Sequence, residues 1–497
     1  MPFTRADPCV IIGAVHSPMN GENARAGRGG EKALERLRLI VAEGLCHRCG
    51  SCSGICPAGV ISPGPDYYPV WDPGDPRCTG CGLCARVCPG AAFSFPEHSK
   101  ALFGPAADFR GAHGVVAAAF LGYALDPEAR RRSTSGGVAT ALALHLLERG
   151  KAGGVFAAVP DAAQPWKPRA IVARTRAEAL AGANSKYPAC SMNHLFRDIR
   201  DESGPFAHVG LPCHVHGLRA MAALDRRVAG KVAVSIGLVC HSCLDHAALG
   251  EMLDCYRVRE GDLASVRYRE GKLPGYICAV MNSGERAYLP YPSLGPDRYR
   301  PNAKECLTLF FKLFSPPRCR LCVDSMAEFA DIALGDPWYK GWEAEGKLRE
   351  GYTLVIARTK AGLETLEGAR RDGAVALEPF PAEKIPLVQH AMARAKRRRG
   401  FYFARKRREE GRPAPEYGFS PAFTRMERIR TGLHALTYAA ADRPALRRSI
   451  YRFLLSRAGR PVVGALFFRR HVIQPLVEKA RRGGVGGGER AGAAAGK

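Results

Sequence analysis

One spacing of cysteines occurs twice near the start of this chain and limits its fold more than any other feature. Each run reads C-x2-C-x2-C-x3-C-P; the first ends at Pro57 and the second at Pro89. This spacing binds 4Fe-4S clusters, because three cysteines two residues apart wrap one corner of a cubane and the proline turns the chain away after the fourth. Zinc also accepts C-x2-C pairs, but it does not need a doubled run of four. The pattern therefore predicts two 4Fe-4S clusters and one-electron chemistry.

The fourth cysteine of each run is expected to bind the cluster of the other run, as in two-cluster ferredoxins. One predicted ligand set is Cys46, Cys49, Cys52 and Cys88, and the other is Cys78, Cys81, Cys84 and Cys56. We expect a lead-in segment at 1–39 that ends in a short helix, Glu31–Glu43. A small α+β domain of the bacterial ferredoxin type then follows at 40–100, with a Pro- and Gly-rich loop over 61–77.

Length and cysteine chemistry limit the organisation and location of the chain. At 497 residues it is too long for one ordinary core, so two to four domains are expected. Cluster ligands must stay reduced, which favours the cytoplasm. The first thirty residues lack the continuous apolar segment of a signal peptide, and the longest apolar runs, 114–125 and 461–468, are too short to span a bilayer.

The positive charge of the chain is concentrated at its C-terminal end. Residues 391–497 carry 26 Lys and Arg against 7 Asp and Glu, so most of the net charge of +26 lies there. We expect a basic helical extension at 391–480 that is an interaction surface rather than part of the redox core, and a disordered Gly/Ala-rich tail at 481–497. Three interpretations stay open: compositional drift, docking of an acidic redox protein such as ferredoxin or of an anionic membrane surface, and nucleic acid. The last is disfavoured because the basic run lacks interleaved aromatic residues.

Alternating strands and helices predict an α/β domain over 114–390, divided at 204. The predicted elements are strands at Gly114–Tyr123, Gly154–Val159, Ala170–Ala173, His208–Leu211, Val232–Val239 and Tyr352–Arg358, and helices at Val138–Glu148 and Ala361–Arg370. The turn Ser133–Gly137 opens the first of these helices. Free N–H groups, hydroxyls and the positive end of the helix dipole suit a phosphate there, although an ordinary helix cap explains the same residues.

Four later cysteines are candidates for a third 4Fe-4S cluster. Cys213 and Cys240 each follow a predicted strand, where α/β folds place their sites, and Cys319 and Cys322 form a C-x2-C pair. The alternative is four unrelated buried thiols. The six remaining cysteines are predicted to be plain thiols. One of them, Cys243, forms a competing C-x2-C with Cys240.

Six segments, in order and spacing, resemble the coenzyme F420 hydrogenase/dehydrogenase beta-subunit family. They are Ser133–Val138 (STSGGV), Ser185–Tyr187 (SKY), Gly210–Cys213 (GLPC), Val239–His241 (VCH), Cys319–Asp324 (CRLCVD) and Ala330–Trp338 (ADIALGDPW). The resemblance covers roughly 114–390 and implies an oxidoreductase that contains FAD and iron–sulfur clusters. It departs from the family at His214, where many relatives have Gln, and at Ser242, where Gly is common. Both positions lie near the expected flavin, so the substrate is expected to differ from the substrates of those relatives.

The resemblance also implies roles for single residues. The residues implied to contact the flavin diphosphate or ring are Ser133, Ser135, Gly136, Gly137 and Lys186. The cysteines implied to bind the third cluster are Cys213, Cys240, Cys319 and Cys322. Lys186 would stabilise a reduced, anionic flavin. His214 or His241 would deliver a proton, although each serves equally well as a structural hydrogen bonder. Asp336, after Gly335 at a strand end, would orient a ligand or simply form a turn.

The expected function is electron transfer between ferredoxin or coenzyme F420 and a substrate, through the clusters and FAD. A non-catalytic electron-transfer subunit of a larger complex is the main alternative. A nucleic-acid binder that contains a cluster is the third, and it predicts strongly salt-dependent DNA affinity.

Overall fold

The computed structural model describes residues 29–255, 258–271, 275–289, 311–338, 351–388, 390–456, 458–459, 461–462 and 465. The predicted lead-in up to residue 28 and the predicted tail at 481–497 lie outside the described residues. Within the described ranges, no helix is long and apolar enough to cross a membrane.

The two cysteine runs fold into a module of short elements. These are α1 (Gly29–Ala42), α2 (Ser51–Ile55), β1 (Ser62–Pro63), β2 (Pro69–Val70), α3 (Leu83–Arg86) and α4 (Phe95–Phe103). The helix expected near Glu31–Glu43 is confirmed as α1. The 61–77 insert is not wholly a loop, because β1 and β2 pair antiparallel. Gly64 permits this hairpin, since a Cβ at Gly64 would lie 2.8 Å from Cγ1 of Val70.

The main domain is built on one mixed sheet of eight strands. They are β3 (Ala118–Ala124), β4 (Val155–Pro160), β5 (Pro168–Ala173), β6 (Phe206–Gly210), β7 (Val232–Leu238), β11 (Ile332–Gly335), β12 (Thr353–Ala357) and β13 (Val375–Pro379). Their order is β13-β3-β12-β11-β7-β6-β4-β5. The four strands β11, β7, β6 and β4 run parallel, and the others are antiparallel to their neighbours. The predicted α/β class is confirmed, with antiparallel strands at both sides of a parallel centre.

Helices cover both faces of this sheet. They include α5 (Pro127–Arg132), α6 (Val138–Glu148), α7 (Arg176–Ala181), α8 (Leu195–Asp198), α9 (Pro212–Leu224), α10 (Arg226–Gly230) and α13 (Lys360–Arg371). The predicted bounds of α6 are confirmed. Most residues of α6 are buried, in one core with β6, β7, β11 and β12.

A second, three-stranded sheet lies beside the main domain and was not predicted from the sequence. It consists of β8 (Leu263–Glu270), β9 (Tyr276–Met281) and β10 (Arg286–Leu289), all antiparallel, next to α11 (His246–Cys255). A short helix, α12 (Pro317–Arg320), then contains Cys319, and Cys322 follows its end. Buried apolar residues of this sheet share a core with Tyr451 from the C-terminal region.

The C-terminal region folds into α14 (His390–Glu409), α15 (Arg425–Ala441) and α16 (Pro444–Leu455). The prediction that this region lies apart from the redox core is wrong for its first part. Ala393, Phe401 and Ala404 of α14 are at most 1% exposed, and Tyr417 after it is 4% exposed. Ala393, Phe401 and Tyr417 complete a core of the main domain, and Ala404 packs in a core with Ile40 and Leu45 of the cysteine module. The burial of these side chains was not predicted, because the surrounding sequence is rich in Arg and Lys.

Candidate metal centres and cofactor site

Eight cysteines of the N-terminal module line two separate pockets. One pocket of about 420 Å³ has Cys46, Cys49, Cys52 and Cys88 in its wall. The other, of about 370 Å³, has Cys56, Cys78, Cys81 and Cys84 in its wall. Each pocket therefore takes three cysteines from one run and the fourth from the other. This is the grouping expected when the fourth cysteine of each run binds the cluster of the other run.

Matching glycines produce the same local turn in both runs. Gly50 (φ 83°) precedes α2 and Gly82 (φ 72°) precedes α3, both in the left-handed conformation that glycine tolerates best. Gly50 also lies against the main domain, because a Cβ there would be 2.4 Å from Oγ of Ser191. Both turns therefore shape the pockets, and the turn at Gly50 attaches the module to the sheet domain.

The chemistry of these thiols fits a metal cluster. Burial raises the pKa of Cys84 to about 12, and burial together with the neighbouring Cys49 raises the pKa of Cys88 to about 11. Buried thiols that repel one another as anions become thiolates when a cation offsets their charge. Four sulfur ligands around one pocket suit an iron–sulfur cluster.

The four later cysteines meet at one edge of the main sheet. Cys213 follows β6, and Cys240 follows β7. These strands are parallel, so their carboxyl ends lie side by side. Burial raises the pKa of Cys213, and the charges that raise it further are those of Cys49, Cys240, Cys322 and Cys319. The structure thus brings the predicted third set together and places it beside Cys49 of the first pocket.

Cys243 lies against this third group, and its assignment as a plain thiol that binds no cluster stays a prediction. Its thiol hydrogen-bonds with Cys240 and Cys319, which lowers the pKa of each of those two thiols. The turn after β7 brings Cys243 back towards α12. Its C-x2-C spacing from Cys240 was the available signal in the sequence.

Arg318 lies between the first and third cysteine groups. It is 1% exposed, and its guanidinium faces both Cys88 and Cys322. Nη1 donates to the hydroxyl of Tyr417 at 3.0 Å, and Nη2 donates to the carbonyl of Pro89 at 3.1 Å. No sequence pattern pointed to this residue, because Tyr417 and Pro89, which accept its hydrogen bonds, come from two segments distant in the chain.

A buried polar contact joins the cysteine module to the helix that starts at Cys213. The amide of Asn193 donates to Oγ of Ser51 at 2.9 Å and to the carbonyl of His214 at 2.8 Å. A Cβ at Gly217 would lie 2.0 Å from Oγ of Ser51, so the glycine leaves room for the Ser51 side chain between the two helices. This contact fixes α2 against α9.

The predicted phosphate turn lies at the same edge of the sheet. Oγ of Ser135 donates to the carbonyl of Tyr352 at 2.6 Å, and the N–H of Ser185 donates to Oγ1 of Thr134 at 2.8 Å. The STSGG and SKY segments are therefore in contact. Ser133 is half-buried, with its Oγ 3.5 Å from Oγ1 of Thr140.

Packing also explains the two glycines of that turn. Gly137 has φ 77° and precedes α6 without a side-chain cap. A Cβ at Gly136 would lie 2.4 Å from the carbonyl oxygen of Gly122 and 2.5 Å from Oγ1 of Thr353. Close packing within the protein therefore explains these glycines as well as contact with a phosphate does. Their cofactor contacts remain predictions.

Lys186 and Asp336 both have partners within the protein. Nζ of Lys186 donates to the carbonyls of the three residues that follow α7, Gly182, Ala183 and Asn184, at 2.8–3.2 Å. Burial lowers its pKa to about 8. Asp336 accepts a hydrogen bond of 2.7 Å from Arg269, which also hydrogen-bonds Tyr187 of the SKY segment. Both residues thus border the STSGG–SKY edge, and their ligand roles remain predictions.

The two candidate catalytic histidines differ in their surroundings. The Nδ1 of His214 accepts from the N–H of Leu211, and Nε2 donates to the carbonyl of Cys190 at 3.0 Å. Burial lowers the pKa of His214 to about 4. Both nitrogens are thus engaged, which favours the structural alternative. His241 has a buried Nδ1 with no hydrogen-bond partner among the described residues. Burial, together with the nearby cations Arg399 and Lys396, lowers the pKa of His241.

Comparison with known families covers both parts of the molecule. The model of the 4Fe-4S dicluster domain matches residues 45–93. The models of the coenzyme F420 hydrogenase/dehydrogenase beta subunit match residues 119–197 with the N-terminal part and 205–383 with the C-terminal part. The chain belongs to the coenzyme F420 hydrogenase/dehydrogenase beta-subunit family. In this beta-subunit-family chain, α14, α15 and α16 follow the matched region.

Curated relatives of this beta-subunit-family chain are named as F420-linked oxidoreductases. The coenzyme F420-dependent sulfite reductase of Methanocaldococcus jannaschii is 26% identical over 379 residues, which are 73% of this chain and 52% of the reductase. The chain thus spans about half the length of that relative. The coenzyme F420 hydrogenase subunit beta of Methanosarcina barkeri is 24% identical over 268 residues, 53% of this chain and 81% of that subunit.

A solved structure of the F420-reducing [NiFe] hydrogenase complex from Methanosarcina barkeri contains a chain similar to this one. The similarity has a TM-score of 0.48 at 22% identity and covers 61% of this chain and 97% of that chain.

Proposed function

We propose that this chain is an iron–sulfur flavoprotein oxidoreductase that passes electrons between coenzyme F420 or ferredoxin and a substrate. The observation that supports it most is the succession of three cysteine groups. Cys52 of the first pocket lies close to Cys84 of the second, and Cys49 lies close to Cys213 of the third group. The groups therefore extend from the N-terminal module to the edge of the main sheet.

The protein residues would hold each cluster and exclude water from it. In the first and third groups the thiols are buried or half-buried, while Cys81 of the second pocket is exposed. Electrons from outside would therefore enter or leave most easily at the second pocket, next to Cys81. Arg318 would stabilise negative charge between the other two groups.

FAD would occupy the edge formed by the STSGG and SKY segments. The N-terminus of α6 supplies N–H groups for a diphosphate, and Lys186 supplies a positive charge. FAD would provide the exchange between one-electron and two-electron chemistry. The choice of coenzyme F420 follows from the names of the two relatives.

The proposed protein partner is an acidic redox protein that docks on α15 and α16. Large apolar side chains are exposed on this pair of helices, beside exposed arginines: Met426, Ile429, Leu436, Leu446 and Phe453 with Arg425, Arg428, Arg443, Arg448 and Arg452. Apolar contacts rimmed by cations complement an acidic protein surface. The M. barkeri relative is named as a subunit, which favours a protein over a membrane as the occupant.

Anaerobic purification with iron, sulfide and flavin analysis tests the proposed function. We expect about twelve irons, at four per cubane, and one FAD per chain. Reduced coenzyme F420 or reduced ferredoxin should bleach the flavin absorbance. A protein without flavin, or one that neither donor reduces, would contradict the proposal. A flavin that exchanges electrons with a protein partner and with no small molecule would support the second candidate, an electron-transfer subunit.

The docking face has its own test. Changing Leu436 and Phe453 to Ser should weaken salt-sensitive binding to ferredoxin while the iron and flavin contents stay at wild-type values. Leu125 is a matched control, because it is similarly exposed but lies far along the chain from α15 and α16. Unchanged ferredoxin binding would contradict the docking face. Lost binding to anionic vesicles, with ferredoxin binding unchanged, would assign the face to a membrane instead.

A further inference from the structure

Helix α14 brings two cations into the core beside the third cysteine group. Lys396 is 2% exposed and Arg397 is 4% exposed. Nζ of Lys396 donates a hydrogen bond of 2.7 Å to the carbonyl oxygen of Cys240. The helix begins at His390, after the last residue of the family match at 383. These cations therefore come from outside the matched domain.

Close packing fixes α14 against the segment that contains Cys322. A Cβ at Gly400 would lie 2.6 Å from the carbonyl oxygen of Cys322 and 2.9 Å from its carbonyl carbon. Nε of Arg397 donates to the carbonyl of Val323 at 3.3 Å. The position of Lys396 beside the cysteines is thus set by contacts on the same helix.

The two cations differ in what balances their charge. Arg397 pairs with the carboxylate of Glu328. Lys396 has no carboxylate ion-pair partner among the residues that the structure describes, and the nearby Asp324 is engaged by His216 at 3.0 Å. A buried ammonium is costly unless an anion lies near it. The anionic groups that face it are the thiols of Cys322, Cys240 and Cys319 and, with a smaller effect, the carboxylate of Asp324.

We propose that Lys396 is a positioning residue for the third cluster and raises its reduction potential. This inference rests on the proposed function, in which Cys213, Cys240, Cys319 and Cys322 hold that cluster. Four thiolates give a bound cluster net negative charge, and one electron from a donor increases it while no bond forms or breaks. A fixed cation in a low-dielectric interior therefore favours the reduced state.

Lys396→Met removes the charge and keeps a side chain of similar length. The carbonyl of Cys240 stays hydrogen-bonded in this variant, because Oγ of Ser325 also donates to it at 3.2 Å. Lys396→Arg keeps the charge. Lys406→Met is the matched control, since Lys406 lies on the same helix, is 49% exposed and pairs with Glu410 at 3.7 Å.

The test is a redox titration of the full-length proteins, purified anaerobically, with each cluster followed by electron paramagnetic resonance. In Lys396→Met we expect reduction of the third cluster to become at least about tenfold less favourable, a fall of about 59 mV for a one-electron couple. The two clusters of the N-terminal module should keep their potentials. Lys396→Arg should recover most of the shift, and Lys406→Met should match the wild type.

The remaining outcomes also decide the matter. Loss of about four irons from Lys396→Met, with retention in Lys396→Arg, would support a cation that stabilises the anionic cluster. An unchanged potential at full iron content would overturn the proposal, as would an Arg variant that behaves like the Met variant or an equal shift of every cluster. A wild-type protein with about eight irons would instead overturn the third cluster itself, before any variant is considered.

Discussion

Replacing Cys88 with alanine tests whether the two cysteine runs exchange ligands. Cys88 lines the pocket of Cys46, Cys49 and Cys52, although it belongs to the second run. The substitution removes one of four ligands from that pocket and leaves the wall of the other pocket intact. We therefore expect the loss of about four irons per chain, the content of one cubane, and the release of three thiols.

Thiol alkylation under anaerobic conditions, read by mass spectrometry, identifies the released cysteines. The Cys88→Ala protein should label at Cys46, Cys49 and Cys52, while the ligands of the second pocket stay protected. Cys56→Ala is the mirror-image control, because Cys56 lines the pocket of the second run. It should release Cys78, Cys81 and Cys84 instead, with the same loss of iron.

The reverse pattern of labelling would refute this reasoning. If Cys88→Ala released Cys78, Cys81 and Cys84, each run would bind its own cluster, and the pocket grouping would not describe the loaded protein. Full iron content with no new labelling would show that Cys88 is not a ligand.

Three further predictions concern the third cysteine group, the turn before α6 and Lys186. Cys213→Ser should remove about four irons whereas Cys243→Ser should keep them; equal iron loss in both would reassign the ligands. Gly136→Ala should destabilise the fold by about 1–3 kcal/mol, because the new Cβ would press against neighbouring backbone. Gly432→Ala, with nothing near its Cβ, should stabilise the fold by about 0.5–1 kcal/mol. Thermal melts at one scan rate measure the direction of each change in stability. Burial lowers the pKa of Lys186 to about 8, so its positive charge is present below that pH and lost above it. FAD affinity should fall as the pH rises through that value, and Lys186→Gln should abolish the step in a fluorescence titration.

Local pattern was enough for much of the fold and for the grouping of eight cysteines around two pockets. Helix α6 has its predicted bounds, and strands β4, β6 and β7 lie within two residues of their predicted positions. These segments are apolar runs bounded by Gly, Pro and polar residues, and such signals are contained in neighbouring residues. The three-stranded sheet was missed because its strands mix charged and apolar residues and follow no strong period.

The basic region shows where composition misleads. Its many arginines led to the prediction of a solvent-exposed interaction surface, and α15 and α16 do expose apolar and basic side chains. Helix α14 instead buries Lys396 and Arg397, because Glu328 and several carbonyl oxygens accept their hydrogen bonds. Whether a charged residue is exposed depends on partners distant in sequence, and composition does not contain that information.

The sequence by itself determined the chemistry of the ligands: eight cysteines in a doubled run, four later cysteines near strand ends, and a family with its motifs in order. These are properties of spacing, which short-range geometry imposes on cubane ligands and turns. The tertiary structure decided which groups are neighbours. It placed Cys49 beside Cys213, brought Cys243 to Cys319, set Arg318 between two cysteine groups and put Lys396 beside the third. Each of these contacts joins segments far apart in the chain, so it arises when the sheet and its helices pack together.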